Sequence, residues 1–297
     1  MTIDTTVSAV DARPDIEAIR HHYEVGNEFF RLILGDSMTY SAGFYEPGDD
    51  DHADLPRAQE RKLDAFATLV GARPGARILD IGCGWGTALE RAVDVHGAER
   101  AVGLTLSRTA ADWIEGLGNP RVEVRVESWE DHQPDAPYDG ILCINAIEHF
   151  VKGSLPPKEK LKRYRAMFRR WHSLLSEGGR VGLHMISLGK VPASRDVLRD
   201  MSAVLKDVFE GTHAPYLHEL ATATQGLFEF TDLRNDRLDC SRTMRVWLER
   251  LQGRRDEAVG LEGEATVASF ERYLSVCVRM FGEGYFNDYR IGLTKIG

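Results

Sequence analysis

Cysteine is scarce in this chain, and its four copies, Cys83, Cys143, Cys240 and Cys277, stand far apart. That scatter argues against a disulfide frame or a zinc cluster, and leaves small buried hydrophobes as the ordinary reading of each thiol. Long apolar runs are also missing, so neither a signal peptide nor a membrane span is expected, and the protein reads as soluble and cytoplasmic. Positive charge is in short supply overall. With 37 Lys and Arg against 46 Asp and Glu, a net charge of −9 and a pI near 5.6, bulk charge does not suit a nucleic-acid partner. What remains, in 297 residues, is room for one substantial core with an accessory region.

The stretch with the most information runs Ile78-Leu-Asp-Ile-Gly-Cys-Gly-Trp-Gly86. Apolar Ile78, Leu79 and Ile81 suit a buried strand, Gly82, Gly84 and Gly86 a turn, and Thr87 the start of a helix. A strand, a glycine turn and a helix N-terminus together let backbone approach a nucleotide-like ligand. A dinucleotide fingerprint needs a third glycine three residues after the second, and an acid about 20 residues further on. Here Thr87 takes the first place, and Val102, Gly103, Leu104 and Thr105 stand near the second. Both discriminating features of a pyrophosphate site are therefore lacking, and an adenosyl ligand, S-adenosylmethionine, fits better.

Strands and helices alternate around this turn. Strands are expected at Ala76 to Ile81, Glu99 to Leu104, Arg121 to Val126, Tyr138 to Ile144 and Arg180 to Ile186. Helices are expected at Leu55 to Val70, Thr87 to Val95, Ser107 (as N-cap) to Ile114, and Pro157 to Leu175, with a Gly178-Gly179 turn after the last. Such alternation predicts a mostly parallel sheet with helices on both faces and ligands beyond the carboxyl ends of the strands. Before it, Asp15 to Leu34 reads as two helical pieces broken near Gly26-Asn27, and Met38 to Tyr45 as an aromatic loop. After it, helical patterns at Val197 to Phe209 and Leu217 to Ala223 suggest a lid over the strand ends. Leu227 to Leu233 reads as strand six, Ser241 to Leu251 and Ala265 to Phe281 as helices, and Tyr285 to Leu293 as a final edge strand. The divisions expected are a flexible 1–14, a helical cap 15–72, a cofactor-binding core 73–186, a lid 187–225 and a C-terminal part of the core 226–297.

From His21 onward the chain resembles the cyclopropane fatty acid synthase and mycolic acid cyclopropane synthase family of class I methyltransferases. The matching segments are His22-Tyr23-Glu24 with Phe29-Phe30, Tyr40-Ser41, Ala58-Gln59 with Lys62, the glycine turn with Trp85, Gly103 to Ser107, Trp129-Glu130-Asp131, Glu148-His149-Phe150 and His184. The resemblance implies a Rossmann-like, seven-stranded α/β fold and S-adenosylmethionine as cofactor. It places Tyr40 and Ser41 over the methionine part, and Asp80, Gly82, Cys83, Gly84 and Gly86 along the ligand. Thr105 then belongs at the ribose, Leu106 beside it among the cofactor-binding positions, and Trp129 and Glu130 at the adenine.

An alkene attacking an activated methyl leaves a carbocation that must be shielded and then deprotonated. In similar family members the base is a bicarbonate ion, and the resemblance matches Glu148, His184 and the backbone of Ala42 and Ile186 to its cage. Tyr23 is carried over as a further catalytic position. The tyrosine of the cage is replaced here by Cys240, and a cofactor-contacting glutamine by Ala110. With the phenol gone the ion is lost, re-caged by another group or replaced by a base on the substrate, and all three alternatives stand. Cys277 matches a cysteine often marked as active in the family, but Val267, Phe270, Leu274, Cys277 and Phe281 form one apolar helical stripe, which favours core packing.

One run is longer than its family counterpart. Between Lys152 and Arg170 eight cations face the single acid Glu159, which reads as a solvated helix face or as a dock for an anionic partner. The function expected is methyl or methylene transfer to carbon of an alkene-like lipid or specialised metabolite. The alternatives are an N- or O-methyltransferase on the same fold and a non-catalytic cofactor-binding protein. No metal is expected, and an oligomer is left open.

Overall fold

The computed structural model describes residues 25–190, 194–207 and 213–297. Tyr23 and the first expected helical piece lie outside the described residues. In chain order the elements are α1 (Asn27–Leu34), α2 (Leu55–Leu69), β1 (Arg77–Ile81), α3 (Thr87–Asp94), β2 (Arg100–Thr105), α4 (Arg108–Leu117), β3 (Val122–Val126) and β4 (Tyr138–Ile144). A short 3-10 turn follows (Ile147–His149), then α5 (Pro157–Leu174), β5 (Leu175–Leu188), α6 (Arg195–Asp207), α7 (Leu217–Thr224), β6 (Phe228–Asn235), α8 (Arg237–Gly253), α9 (Arg255–Glu262), α10 (Glu264–Glu283) and β7 (Phe286–Lys295).

The strands form one seven-stranded sheet in the order β3-β2-β1-β4-β5-β7-β6. Pairings from β3 to β5 are parallel, whereas β7 is antiparallel to both β5 and β6. Alternation along the strands sorts side chains to two faces. Ile78 and Leu142 join Phe66, Val70, Leu89 and Ile114 under α2, α3 and α4. Leu79, Ile81, Ile141 and Leu183 join Tyr164, Phe168, Trp171 and Leu220 under α5 and α7. A third cluster packs α1 and the Met38–Tyr45 loop against α8 and α10.

Two expectations need correction. β7 is an interior strand, because β6 adds outside it. The reason is polarity: β6 exposes Glu229, Asp232 and Arg234, charges that suit an edge, while β7 buries Phe286, Ile291 and Leu293. The Gly178-Gly179 turn is a bulge inside β5, where Tyr138 pairs with Leu175 but Gly140 pairs with Arg180. Helix α9 had no expected counterpart. Among the described residues no helix is long and apolar enough to cross a membrane.

Candidate active site

A cleft opens beyond the carboxyl ends of β1, β2 and β4, where strand order reverses between β1 and β4. Its walls include Tyr40, Ser41, Asp80, Gly82, Cys83, Gly84, Thr105, Leu106 and Trp129, each an expected cofactor position. Gly82 and Gly84 both have positive φ, 83° and 52°. A Cβ on Gly82 would come within 2.4 Å of Ala146 Cβ, whereas one on Gly84 would meet nothing within 4 Å. The first glycine thus permits close packing of two loops, and the second leaves backbone bare toward the cleft. The turn is anchored by the Gly82 and Cys83 amides, which donate to Leu104 O at 2.9 and 3.1 Å.

Two of the expected contacts sit elsewhere. Gly86 caps α3 with φ 84°, and a Cβ there would strike Ile114 Cγ1 at 2.8 Å, so it serves helix packing and does not line the cleft. Glu130 is turned from the lining by Arg163 of α5, whose Nη2 lies 3.1 Å from its Oε1. Arg163 belongs to the basic run, part of which is tied to other segments of the molecule while Lys158, Lys162 and Arg169 are exposed. Arg165 donates to the carbonyls of Ala223 and Gln225, Arg170 to His132 O, and Lys162 to Glu159.

Behind Ser41 lies a buried polar group that the resemblance marked without assigning it a role. Lys62, from α2 and 1% exposed, donates to Ser41 Oγ at 2.7 Å. Burial pushes its ammonium well down, opposed by the charges of Asp80 and Asp288, while burial pushes Asp80 up against Lys62. Gln59 holds the other side of the same loop through Ser41 O at 2.8 Å. Asn145 is a second addition. It lines the cleft in the left-handed region at φ 49°, a conformation that non-glycine residues adopt rarely and mostly at constrained sites. Its amide donates to His184 O at 2.8 Å, tying the end of β4 to β5.

Glu148 and His184 sit on neighbouring strand ends, as the sheet order requires. Glu148 is on the 3-10 turn after β4, 7% exposed, and its Oε1 accepts the Ile186 amide. Burial pushes its carboxyl up to about 7, with Asp288 adding to the rise and the amides of Glu148 and Ile186 opposing it. His184 is fully buried on β5, edge-on to Phe44 and tilted against Phe66. Its Nε2 lies 3.0 Å from Asp288 Oδ2 on β7. Cys240 of α8 faces Asp288, and burial first, then that carboxylate, push its thiol far up. Ala42 is buried in the loop before α2. His149, on the cleft wall, is held neutral by burial, its imidazole pushed down to about 4. Cys277 is 4% exposed in the aromatic cluster of α10, and burial pushes its thiol up to about 12. A thiolate is therefore disfavoured there.

This cleft belongs to an S-adenosylmethionine-dependent methyltransferase: glycine turn, buried acid at the end of β1 and strand reversal all fit an adenosyl ligand. The chain belongs to the mycolic acid cyclopropane synthetase family, whose model matches residues 10–291. It is 31% identical to cyclopropane mycolic acid synthase 2 of Mycobacterium tuberculosis over 98% of both chains. Its fold is similar to the cyclopropane synthase MmaA2 of Mycobacterium tuberculosis, with a TM-score of 0.86 and 29% identity over 95% of this chain and 99% of that one. The mycolic acid cyclopropane synthase CmaA1 in complex with SAH and CTAB superimposes with a TM-score of 0.85 and 30% identity, over 95% of this chain and 99% of that one. The protein is thus a cyclopropane synthase-like methyltransferase.

Proposed function

We propose that the enzyme methylates or cyclopropanates an apolar alkene of a lipid or specialised metabolite, with the acceptor entering against Tyr40, Glu148 and His184. The observation that carries this reading is a bare-backbone cradle walled by aromatic rings, with the buried Glu148 carboxyl and His184 imidazole at the ends of the neighbouring strands β4 and β5. Tyr40 lies 5.4 Å from Phe30 and 5.5 Å from Trp247, centroid to centroid, and Trp129 lies 5.8 Å from Phe150. Such walls exclude water and present π faces to a cation, which an unactivated alkene needs and a heteroatom acceptor does not.

Bound S-adenosylmethionine supplies an activated methyl group. Gly84 and Thr105 would hold its adenosyl part, and Asp80 and the Lys62–Ser41 pair its amino acid part. Lys62 fixes Ser41, and with it the loop that carries Tyr40, so the acceptor is positioned by a buried hydrogen bond of a charged group. Glu148, half-neutral near pH 7, orients β5 through the Ile186 amide and lowers the negative charge behind the cation. The bicarbonate ion expected from the family does not fit this arrangement, because the Ile186 amide already donates to Glu148 and a thiol replaces the phenol.

The test is incubation with methyl-labelled S-adenosylmethionine and two acceptor probes, vesicles of a mono-unsaturated phospholipid and geranyl diphosphate, followed by product NMR. A new carbon–carbon bond is expected. A label found only on nitrogen or oxygen would overturn the reading in favour of a heteroatom methyltransferase, and cofactor binding without any release of S-adenosylhomocysteine would favour a non-catalytic role.

A further inference from the structure

Three buried carboxylates converge behind the cleft, and two have been accounted for. Asp80 is matched by Lys62, and Glu148 is tied to the Ile186 amide. The third, Asp288, is 1% exposed on β7, where its register partner is Ile186 of β5. His184 Nε2 stands 3.0 Å from its Oδ2, and the Cys240 thiol faces it. Neither oxygen receives an aligned hydrogen bond among the described residues, and the imidazole of His184 is a close neighbour without the alignment of a donor. The charge of Asp288 weakens the acidity of Glu148 and supports the charge of Lys62. Asp236, a buried neighbour, differs in having Arg234 at 2.6 Å and Arg290 at 3.4 Å.

A carboxylate buried with so little compensation costs several kcal/mol, and an apolar residue would serve an interior strand better. The rest of β7 follows that rule with Phe286, Ile291 and Leu293. The exception stands where an anion is needed for chemistry. Together with the unsuitability of the pocket for bicarbonate, it has one economical meaning.

We propose that Asp288 is the built-in anion of this site, a carboxylate beside His184 that accepts the proton when the methylated alkene cation collapses. The proposal rests on the carbon-directed reading above. In the step, a C–H bond on the transferred methyl or on a carbon beside the cation breaks. Its electron pair closes the three-membered ring or forms the new double bond, and the proton passes to Asp288 Oδ. His184 Nε2, 3.0 Å away, stands beside the carboxylate, and Cys240, smaller than a phenol, leaves it space.

The test has two arms on the full-length protein. In the first, isotope-labelled bicarbonate is titrated by carbon NMR into enzyme saturated with S-adenosylhomocysteine. Wild type is expected to show no saturable binding, and Asp288→Ala to bind one equivalent in the vacated space. Saturable binding to wild type that is lost in Glu148→Gln would overturn the proposal. The second arm uses the acceptor identified above and the isosteric Asp288→Asn, with unchanged melting temperature and cofactor affinity as the check on folding. Its kcat is expected to fall roughly 100-fold, as for loss of a general base, with added formate restoring turnover to Asp288→Ala. Unchanged kcat in Asp288→Asn, or no rescue by formate, would overturn it. A heteroatom product from wild type would sink the carbon-directed reading and the base role with it, while the bicarbonate arm would still report whether the site excludes the ion.

Discussion

The cofactor end of the site is continuous in sequence, and the acceptor end is not. Asp80, Gly82, Cys83 and Gly84 follow one another along a strand and its turn, with Thr105 and Leu106 at the next strand end. Glu148, His184, Cys240 and Asp288 come instead from β4's trailing turn, β5, α8 and β7, and they meet because β7 inserts beside β5. The first region is built largely of backbone geometry, with positive φ at Gly82 and Gly84. The second is built of side chains on separate elements, so a single substitution changes its chemistry without disturbing the fold. Cys240, in place of the cage tyrosine, shows that freedom.

The sharpest way to break this comparison is at the acceptor end. Glu148→Gln is expected to keep cofactor affinity by calorimetry and lose on the order of 100-fold or more in turnover; undiminished turnover would remove Glu148 from the mechanism. At the cofactor end the two glycines should separate. Gly82→Ala meets both a clash with Ala146 and an unfavourable φ, and is expected to lower the melting temperature markedly. Gly84→Ala has space but strained backbone, so it should cost only about 1–2 kcal/mol of stability and weaken S-adenosylmethionine binding more than it weakens the fold. Equal stability losses in the two variants would remove the distinction.

The carboxyl of Glu148 gives a pH signature. Its folded value, about 7, lies above the ordinary 4.5, so between these the native state binds more protons than the unfolded one and stability falls as pH rises. Denaturation midpoints of wild type should therefore decline relative to Glu148→Gln across that window, by up to a few kcal/mol, and level off above it. A flat difference would show the carboxyl is not raised. Cys277→Ser should cost about 1–2 kcal/mol by leaving a poorly matched hydroxyl in the α10 cluster, with turnover of the folded enzyme unchanged. A selective loss of turnover would return Cys277 to the chemistry. The smallest effect is expected for Arg163→Ala, which breaks a partly exposed pair with Glu130 and should change stability by no more than about 1 kcal/mol. A large loss of cofactor affinity there would restore Glu130 to the adenine site through its ion pair.

Most of the fold could be read from the chain. The alternation of strands and helices placed β1 to β5 within a few residues, because buried parallel strands carry unbroken apolar runs and their helices carry clear stripes. The fate of β7 could not be read that way, since whether a strand lies inside or at the edge depends on which neighbour adds to it. The burial of Lys62 and the role of Asn145 were equally opaque, although Lys62 was named among the matching segments. A lysine on a helix ordinarily points to water, and only the packing of α2 over the sheet buries it beside Ser41. Asn145 takes its left-handed conformation only because β4 and β5 meet at its amide.

By itself, then, the amino-acid sequence determined the adenosyl cradle, since a strand, a glycine turn and a helix start are local and their geometry follows from neighbouring residues. The composition of the acceptor end was decided by the tertiary structure alone. Antiparallel insertion of β7 between β5 and β6 sets Asp288 against His184, and only there does a carboxylate on the last strand of the chain lose its water and gain an imidazole as its neighbour.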